Sequence, residues 1–235
     1  MTVNYIGTNK IYIFVASQKL PSMKKNKILN SKIAKYSMLA GATLSMLTAC
    51  KKDEPDNNDP NINETDVTPD ITLAATASGS YSDIDLNADG VIDVSFGIAN
   101  YSYTSYGYTN NFNYASVNGE NGSEVLTETA SLTIGGYSYD LEIAKALSEG
   151  NTIGVSQVTW YSEGYLGFKG VYSNTNINFG NFISADKFVG VKFLIGANTH
   201  YGWIRVALNA DASSLVIKEY AYHLTPNTAI TAGDK

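Results

Sequence analysis

Residues 83 to 93 carry potential metal ligands at regular spacing, in the stretch "DIDLNADGVID". Asp85, Asn87 and Asp89 alternate, Gly90 follows them, and the spacing matches the first positions of a calcium-binding loop. Oxygen ligands two residues apart can converge on one ion, and a glycine permits the sharp bend between them. We therefore predict a structural calcium site formed by Asp83, Asp85, Asn87, Asp89, Val91 through its carbonyl group, and Asp93.

The alternative for this segment is an ordinary hairpin with an Asp-Gly turn. Position twelve of the loop is Phe96, so the usual bidentate glutamate is missing. Apolar residues on one face would pair Ile84 with Val94 and place Asp85 opposite Asp93. Like charges directly opposite each other destabilise a hairpin, and a bound cation would turn that repulsion into attraction. Both interpretations remain open on the sequence alone.

A second candidate surface is the stretch "YSYTSYGYTNNFNY" at residues 101–114. Tyrosine among serine, glycine and asparagine makes an adaptable contact surface, and aromatic faces stack on sugar rings. These residues predict a glycan-binding strip formed by Tyr101, Tyr103, Tyr106 and Tyr108. The alternative is that alternate tyrosines pack within the fold while the others half-cover a sheet face.

The elements that would position these residues are strands. From Ile71 onward, β-branched and aromatic runs alternate with turn signals such as Asn121-Gly122. We expect one all-β domain over 71–235, a two-sheet antiparallel sandwich that is jelly-roll-like. One short helix is predicted near 141–149, with Asp140 as its cap and Gly150 at its end.

The chain contains one cysteine, Cys50, behind a basic region and a short apolar run in residues 23–49. The residues Leu47-Thr48-Ala49-Cys50 resemble the lipobox of bacterial lipoproteins. The resemblance implies that 23–49 is a signal peptide and that Cys50 carries the lipid, including palmitate, that anchors the protein in a membrane. Residues 1–22 fit poorly with such a signal, and we interpret them as a start-site artefact.

Residues 50–70 read as the lipidated cysteine followed by a disordered, acidic tether. Within it, Lys51-Lys52-Asp53-Glu54 resembles a short tag that directs lipoproteins to the cell surface in some diderm bacteria. The resemblance favours an outer-membrane protein exposed at the surface over one that faces the periplasm.

Charge and cysteine content exclude several classes of protein. From Cys50 to Lys235 the chain has nine basic and 22 acidic residues, a net charge of −13. So acidic a chain is unsuited to nucleic acid, whose phosphates require a basic surface. One cysteine allows no intramolecular disulfide and no Cys/His zinc pattern.

The last third of the chain resembles secreted bacterial β-proteins of a kind that often carries a PEP-CTERM sorting tail. The residues that carry the resemblance are Phe188, Gly190, Phe193, Tyr201, Gly202, Trp203, Ala221, Tyr222, Pro226, Ile230 and Gly233. The resemblance implies a secreted β fold and transfers no active site. The sequence ends at Lys235 without a sorting tail, and we expect the N-terminal lipid to serve as the anchor.

These observations predict a lipid-anchored envelope protein whose domain is a non-catalytic binding or structural module. Its expected partners are the membrane, through the lipid, and a glycan or another surface protein. One alternative is a glycan-binding surface protein in carbohydrate capture. Another is a glycoside hydrolase, which needs two carboxylates facing each other across a cleft, and the available ones include Glu142, Glu163 and Asp186.

Overall fold

The structure is a computed structural model that describes residues 59–105, 107–134 and 136–235. All regular structure in these residues is β-strand, which confirms the all-β class. The first eight strands are β1 (Ile62–Ala74), β2 (Ser80–Ile84), β3 (Val94–Ser105), β4 (Tyr108–Gly119), β5 (Glu124–Ile134), β6 (Tyr137–Ala144), β7 (Ala146–Leu147) and β8 (Thr152–Ile153). The remaining strands are β9 (Trp160–Tyr161), β10 (Glu163–Tyr172), β11 (Thr175–Phe179), β12 (Ala185–Ile195), β13 (Asn198–Leu208), β14 (Ser214–His223) and β15 (Ile230–Thr231).

Thirteen of these strands form one sheet. Its main order is β1-β14-β13-β12-β5-β6-β10-β4-β3-β2, and the short strands β11, β7 and β9 pair with β10, β12 and β5. The pairing of β6 with β10 is parallel and the others are antiparallel, so the sheet is mixed. Strands β8 and β15 form a separate two-stranded ribbon.

The predicted two-sheet antiparallel sandwich is therefore wrong, and strand β5 is the reason. Its first residues pair with β12, with Val125 opposite Val191. The rest of the same strand pairs with β6, from Thr127 opposite Ala144 onward. Because one continuous strand bonds to both groups of strands, the two halves that a sandwich would separate belong to one curved sheet.

The main core lies between the two ends of this sheet. Phe96 and Val117 from β3 and β4 pack in one buried cluster with Val191, Ile204 and Ile217 from β12, β13 and β14. All five side chains are essentially inaccessible to solvent. Burial of apolar surface is the main favourable term in folding, so this shared cluster holds the ends of the sheet against each other.

Two smaller cores cover the outer faces of the sheet. The β5–β6 hairpin packs Leu132 and Ile134 on Phe112, Phe168 and Ile177, and the surrounding tyrosines extend this cluster. At the other end, the ribbon of β8 and β15 packs residues such as Ile153 and Ile230 over Trp203.

The short helix predicted near 141–149 is also wrong. Residues 141–144 continue strand β6, and 146–147 form strand β7. Asp140 does not cap a helix, because it pairs with Ser131 across the hairpin and accepts a hydrogen bond from the Ser131 hydroxyl group. Backbone hydrogen bonds to β5 supply the partners that a helix would otherwise have provided.

In the structure the folded domain begins earlier in the chain than the predicted start at residue 71. The predicted tether extends to residue 70, but β1 begins at Ile62 and pairs with β14 through most of its length. Alternate residues of β1 lie against the fold, and Leu73 is buried in the main core. Residues 62–70 are therefore an edge strand of the domain.

Candidate functional site

The acidic segment connects β2 to β3. Ile84 pairs with Val94 and Asp83 with Ser95, which is the register that the alternation of apolar residues predicts. The regular pairing stops there, and residues 85–93 form the connecting loop. Ala88 and Gly90 adopt left-handed backbone conformations, with φ of 59° and 88°, and these two residues bend the loop.

The carboxylates of this loop bind its own backbone. Asp85 accepts hydrogen bonds from the N–H groups of Asp89 and Gly90, at 3.2 and 2.7 Å. Asp89 accepts one from Val91 N–H at 2.8 Å, and the Asn87 side chain bonds to Asp89. These are the short-range bonds by which aspartate and asparagine stabilise turns.

Asp93 differs from its neighbours because it is buried, with 4% of its surface exposed. Its Oδ2 atom accepts a hydrogen bond from Leu86 N–H at 2.8 Å. Burial raises the pKa of Asp93 to about 6, against the lowering effect of the Leu86 bond, and the negative charges of Asp85 and Asp89 raise it further. The loop thus contains a buried carboxyl group with no basic partner among the groups that shift its pKa.

Most of the predicted calcium ligands lie in this one loop, but their side chains do not converge on a common point. Among the described residues, no three side chains of the His, Cys, Asp or Glu type are placed to hold one metal ion. Asp83 and Val91 are exposed, and Asp85 and Asp89 use carboxylate lone pairs on backbone N–H groups. Each carboxylate has about four lone-pair sites, so these bonds leave oxygen positions that a cation could engage.

The predicted tyrosine strip is divided between packing and exposure. Tyr101 is half-buried against Phe112, with ring centroids 5.7 Å apart. Tyr103 and Tyr108 are 41% and 51% exposed, on the strands that flank the β3–β4 turn. Tyr106 lies outside the described residues.

The same outer sheet face carries a second group of aromatic and polar residues nearer the acidic loop. The strand register aligns Tyr81, Gly97, Ser116 and Tyr165 in one row across β2, β3, β4 and β10. The adjacent row is Asp83, Ser95, Asn118 and Glu163. Tyr114 belongs to the row on the other side, opposite Ala99.

The sequence alone does not indicate this group, because its members are far apart in the chain. Tyr81 and Tyr165 come into one row only through the pairing of β2, β3, β4 and β10, with β3 and β4 between them. One usable signal was present: Gly97 lies within an apolar run of strand character, and a glycine there indicates close approach by another group.

The three carboxylates considered for glycoside hydrolysis are not placed as a facing pair. Asp186 binds Arg205 through two hydrogen bonds and Lys218 through a third. Glu142 accepts hydrogen bonds from two threonine hydroxyl groups of β5. Tyr165 pairs with Ile143, so Glu163 shares the face of Tyr165, while Glu142, next to Ile143, points to the opposite face.

Comparison with protein-family models, with curated proteins and with solved structures finds no match. The fold and the two surfaces define an all-β domain with polar and aromatic patches on its outer face. Cys50 lies outside the described residues. Over the described ranges, nothing forms a helix of the length and hydropathy needed to cross a bilayer.

Proposed function

We propose that the chain is a lipid-anchored protein of the outer membrane, exposed at the cell surface, whose β domain is a non-catalytic binding module. The observation that supports it is the sequence Leu47-Thr48-Ala49-Cys50, followed by a folded domain whose first strand begins at Ile62. A lipid on Cys50 would hold this domain close to the membrane, because the segment between them is short.

Acylation supplies the affinity for the membrane in this proposal. Each buried methylene group contributes about 0.8 kcal/mol, and more than one chain is needed for a stable anchor. The net charge of −13 on the chain after Cys50 opposes adsorption to anionic lipid, so the lipid is the expected means of attachment.

The test is metabolic labelling of the full chain in a diderm bacterium with an alkyne-bearing palmitate analogue, followed by detergent phase partition. We expect label on the wild-type protein and partition into the detergent phase, both of which Cys50→Ala abolishes. Tyr137→Ala, a change at an exposed residue of the folded domain, is the matched control and should behave as the wild type. An unlabelled wild-type chain in the aqueous phase would refute the anchor. Protease treatment of whole cells is a separate test: digestion of the labelled protein indicates the cell surface, and protection indicates the periplasm.

We also propose that calcium stabilises the loop from Asp83 to Asp93. The support is electrostatic: buried Asp93 lies beside the negative charges of Asp85 and Asp89, and a divalent cation would favour its ionised form. Stabilisation by a ligand follows RT ln(1 + [L]/Kd), which gives roughly 1 to 2 kcal/mol in millimolar calcium for a sub-millimolar site.

Thermal unfolding of the full chain in EDTA and in millimolar CaCl₂ tests this proposal. We expect a higher midpoint in calcium for the wild type and none of this increase in Asp85→Asn. Asp211→Asn, in another acidic turn, is the control and should keep the response to calcium. Equal midpoints in both solutions for the wild type would leave the loop as a hydrogen-bonded turn.

The alternative function is glycan binding at the β3–β4 hairpin, which the exposure of Tyr103 and Tyr108 favours. Binding of the full chain to a glycan array, compared between wild type and the double variant Tyr103→Ala/Tyr108→Ala, tests it. Loss of array signals in the double variant supports this surface, and unchanged signals exclude it.

A further inference from the structure

The Tyr81 ring packs directly on the backbone of two glycines, Gly79 and Gly97. A β-carbon on Gly97 would lie 3.0 Å from Tyr81 Cε1, and one on Gly79 would lie 2.7 Å from the Tyr81 hydroxyl oxygen. The ring therefore occupies space that only glycine leaves free, at both of its edges. Tyr81 is still 59% exposed, so much of an aromatic ring held in place on one side remains open to solvent.

Polar and aromatic groups lie along the sheet next to this ring, on β4 and β10. Ser116 lies in the same row, with its Oγ atom 3.7 Å from where a Gly97 β-carbon would be. Tyr114 and Tyr165 are half-buried at the rim of the β5–β6 hairpin core. Burial is the main cause of the raised pKa of Tyr114 and of Tyr165, which reaches about 12. The Glu163 carboxyl group raises the pKa of both tyrosines further, and Tyr81 also raises that of Tyr114.

The charged groups of this surface are all acidic. The rows that contain Tyr81 and Glu163 include two carboxylates, Asp83 and Glu163, and no lysine or arginine. Burial raises the pKa of Glu163, although much of the residue's surface stays exposed, and no described basic residue forms an ion pair with it. Such a surface repels anions and offers acceptors to hydroxyl groups.

We propose that the surface from Tyr81 to Tyr165 and Glu163 binds successive neutral hexose residues of one glycan chain. β2 and β10 are three strand spacings apart, roughly 14 Å, which is about the length of two to three sugar residues. The apolar face of one pyranose ring packs on the open side of the Tyr81 ring, and the hydroxyl groups of a sugar further along the chain donate to Glu163 and exchange hydrogen bonds with Tyr165 and Asn118. The proposal rests on the chain being a binding module, but not on the exposed tyrosines of the β3–β4 hairpin, which occupy other rows of the sheet.

Titration calorimetry of the full chain with cellohexaose, laminarihexaose and mannohexaose tests the proposal. The protein is kept in lauryldimethylamine oxide, because a maltoside detergent would present sugars of its own. We expect at least one oligosaccharide to bind, and Tyr81→Ala to weaken that binding roughly five- to tenfold, the loss expected from removing an aromatic stacking partner. Tyr81→Phe keeps the ring and should bind within about twofold of the wild type.

Two further variants separate a binding role from a structural one. Gly97→Ala adds a methyl group against the Tyr81 ring and should weaken binding while leaving the thermal midpoint nearly unchanged, since the displaced ring is exposed. Tyr137→Ala removes a 70% exposed tyrosine from another strand and should bind as the wild type.

The proposal is overturned if none of the three oligosaccharides binds at millimolar concentration, or if Tyr81→Ala binds as tightly as the wild type. If binding is instead lost in Tyr103→Ala/Tyr108→Ala and kept in Tyr81→Ala, the hairpin surface is the glycan site and this inference fails. If Tyr81→Ala alone loses binding, the inference stands and the hairpin surface is excluded.

Discussion

Asp93 is a buried carboxyl group with one backbone donor and two acidic neighbours. Its pKa of about 6 in the folded protein lies above the value of 3.8 that it has when unfolded. Between these values the folded chain holds a proton that the unfolded chain has released, so stability falls as the pH rises through this window. The penalty reaches at most about 3 kcal/mol near neutral pH.

Replacing Asp93 by asparagine should remove this penalty while keeping an oxygen for Leu86 N–H. In EDTA we expect Asp93→Asn to be more stable than the wild type by about 2 kcal/mol near pH 7.5, and the difference to vanish towards pH 4. Urea unfolding of the full chain at the two pH values measures it. A difference that does not change with pH would show that the charge of Asp93 is compensated in the folded protein.

Arg205 neutralises the negative charges of two neighbouring carboxylates, whereas Asp93 has no such partner. It bonds to Asp186 through two nitrogens and to buried Glu219 at 3.0 Å. Burial alone would raise the pKa of Glu219, but hydrogen bonds from Lys235 and Arg205 lower it below its usual value. A carboxylate with a lowered pKa stabilises the fold above its unfolded pKa, and this contribution is lost as the pH falls.

We therefore expect Arg205→Met to destabilise the protein by about 2 kcal/mol at neutral pH, since it leaves Glu219 with fewer partners. The loss should shrink in acid, where Glu219 is protonated. Lys192→Met removes the ion pair with Glu124, whose side chain is 36% exposed against 8% for Glu219, and should cost less than about 1 kcal/mol. Denaturant unfolding of both variants at neutral and acidic pH makes the comparison, and equal losses would mean that burial of Glu219 has no effect.

The ribbon of β8 and β15 is an element whose contribution can be isolated. Ile230 pairs with Ile153, and both side chains are buried with Trp203 beneath them. Removing most of a buried isoleucine side chain leaves a cavity, so Ile230→Ala should destabilise the fold by about 2 to 4 kcal/mol. Leu224→Ala, at an exposed residue shortly before the ribbon, should change stability by less than about 0.5 kcal/mol. Thermal unfolding of the two variants distinguishes a packed ribbon from a loosely attached one, in which both changes would be neutral.

The alternation of apolar residues predicted the pairing of neighbouring segments correctly. It failed where the structure of a segment depends on pairing with a strand that is distant in the sequence. The alternation within residues 84–94 predicts that Ile84 pairs with Val94, and the structure confirms this pair. The segment after Asp140 has spacing compatible with a helix or a strand, and its pairing with β5 makes it a strand. The Tyr81 surface also requires β10 to lie beside β4, and alternation within single strands does not give the order of distant strands in a sheet.

At the scale of the whole molecule, the shared core and the continuity of β5 make the two ends of the sheet one cooperative unit. Phe96 from β3 and Ile217 from β14 lie at opposite ends of the strand order and in the same buried cluster. A single domain whose main core joins both ends of the sheet unfolds in one transition, so shortening a buried side chain at either end should weaken the whole fold.

We expect Phe96→Ala and Ile217→Ala each to lower stability by about 3 to 4 kcal/mol and to shift one common transition. Far-ultraviolet circular dichroism reports the sheet and near-ultraviolet dichroism reports aromatic packing, and the two signals should lose structure together in each variant. Val158→Ala, at a strongly exposed loop residue, should leave both curves in place. If Ile217→Ala separated the two signals or produced a second transition, the strands around β13 and β14 would unfold independently. The bond between β5 and β12 would then connect two domains without coupling their stability.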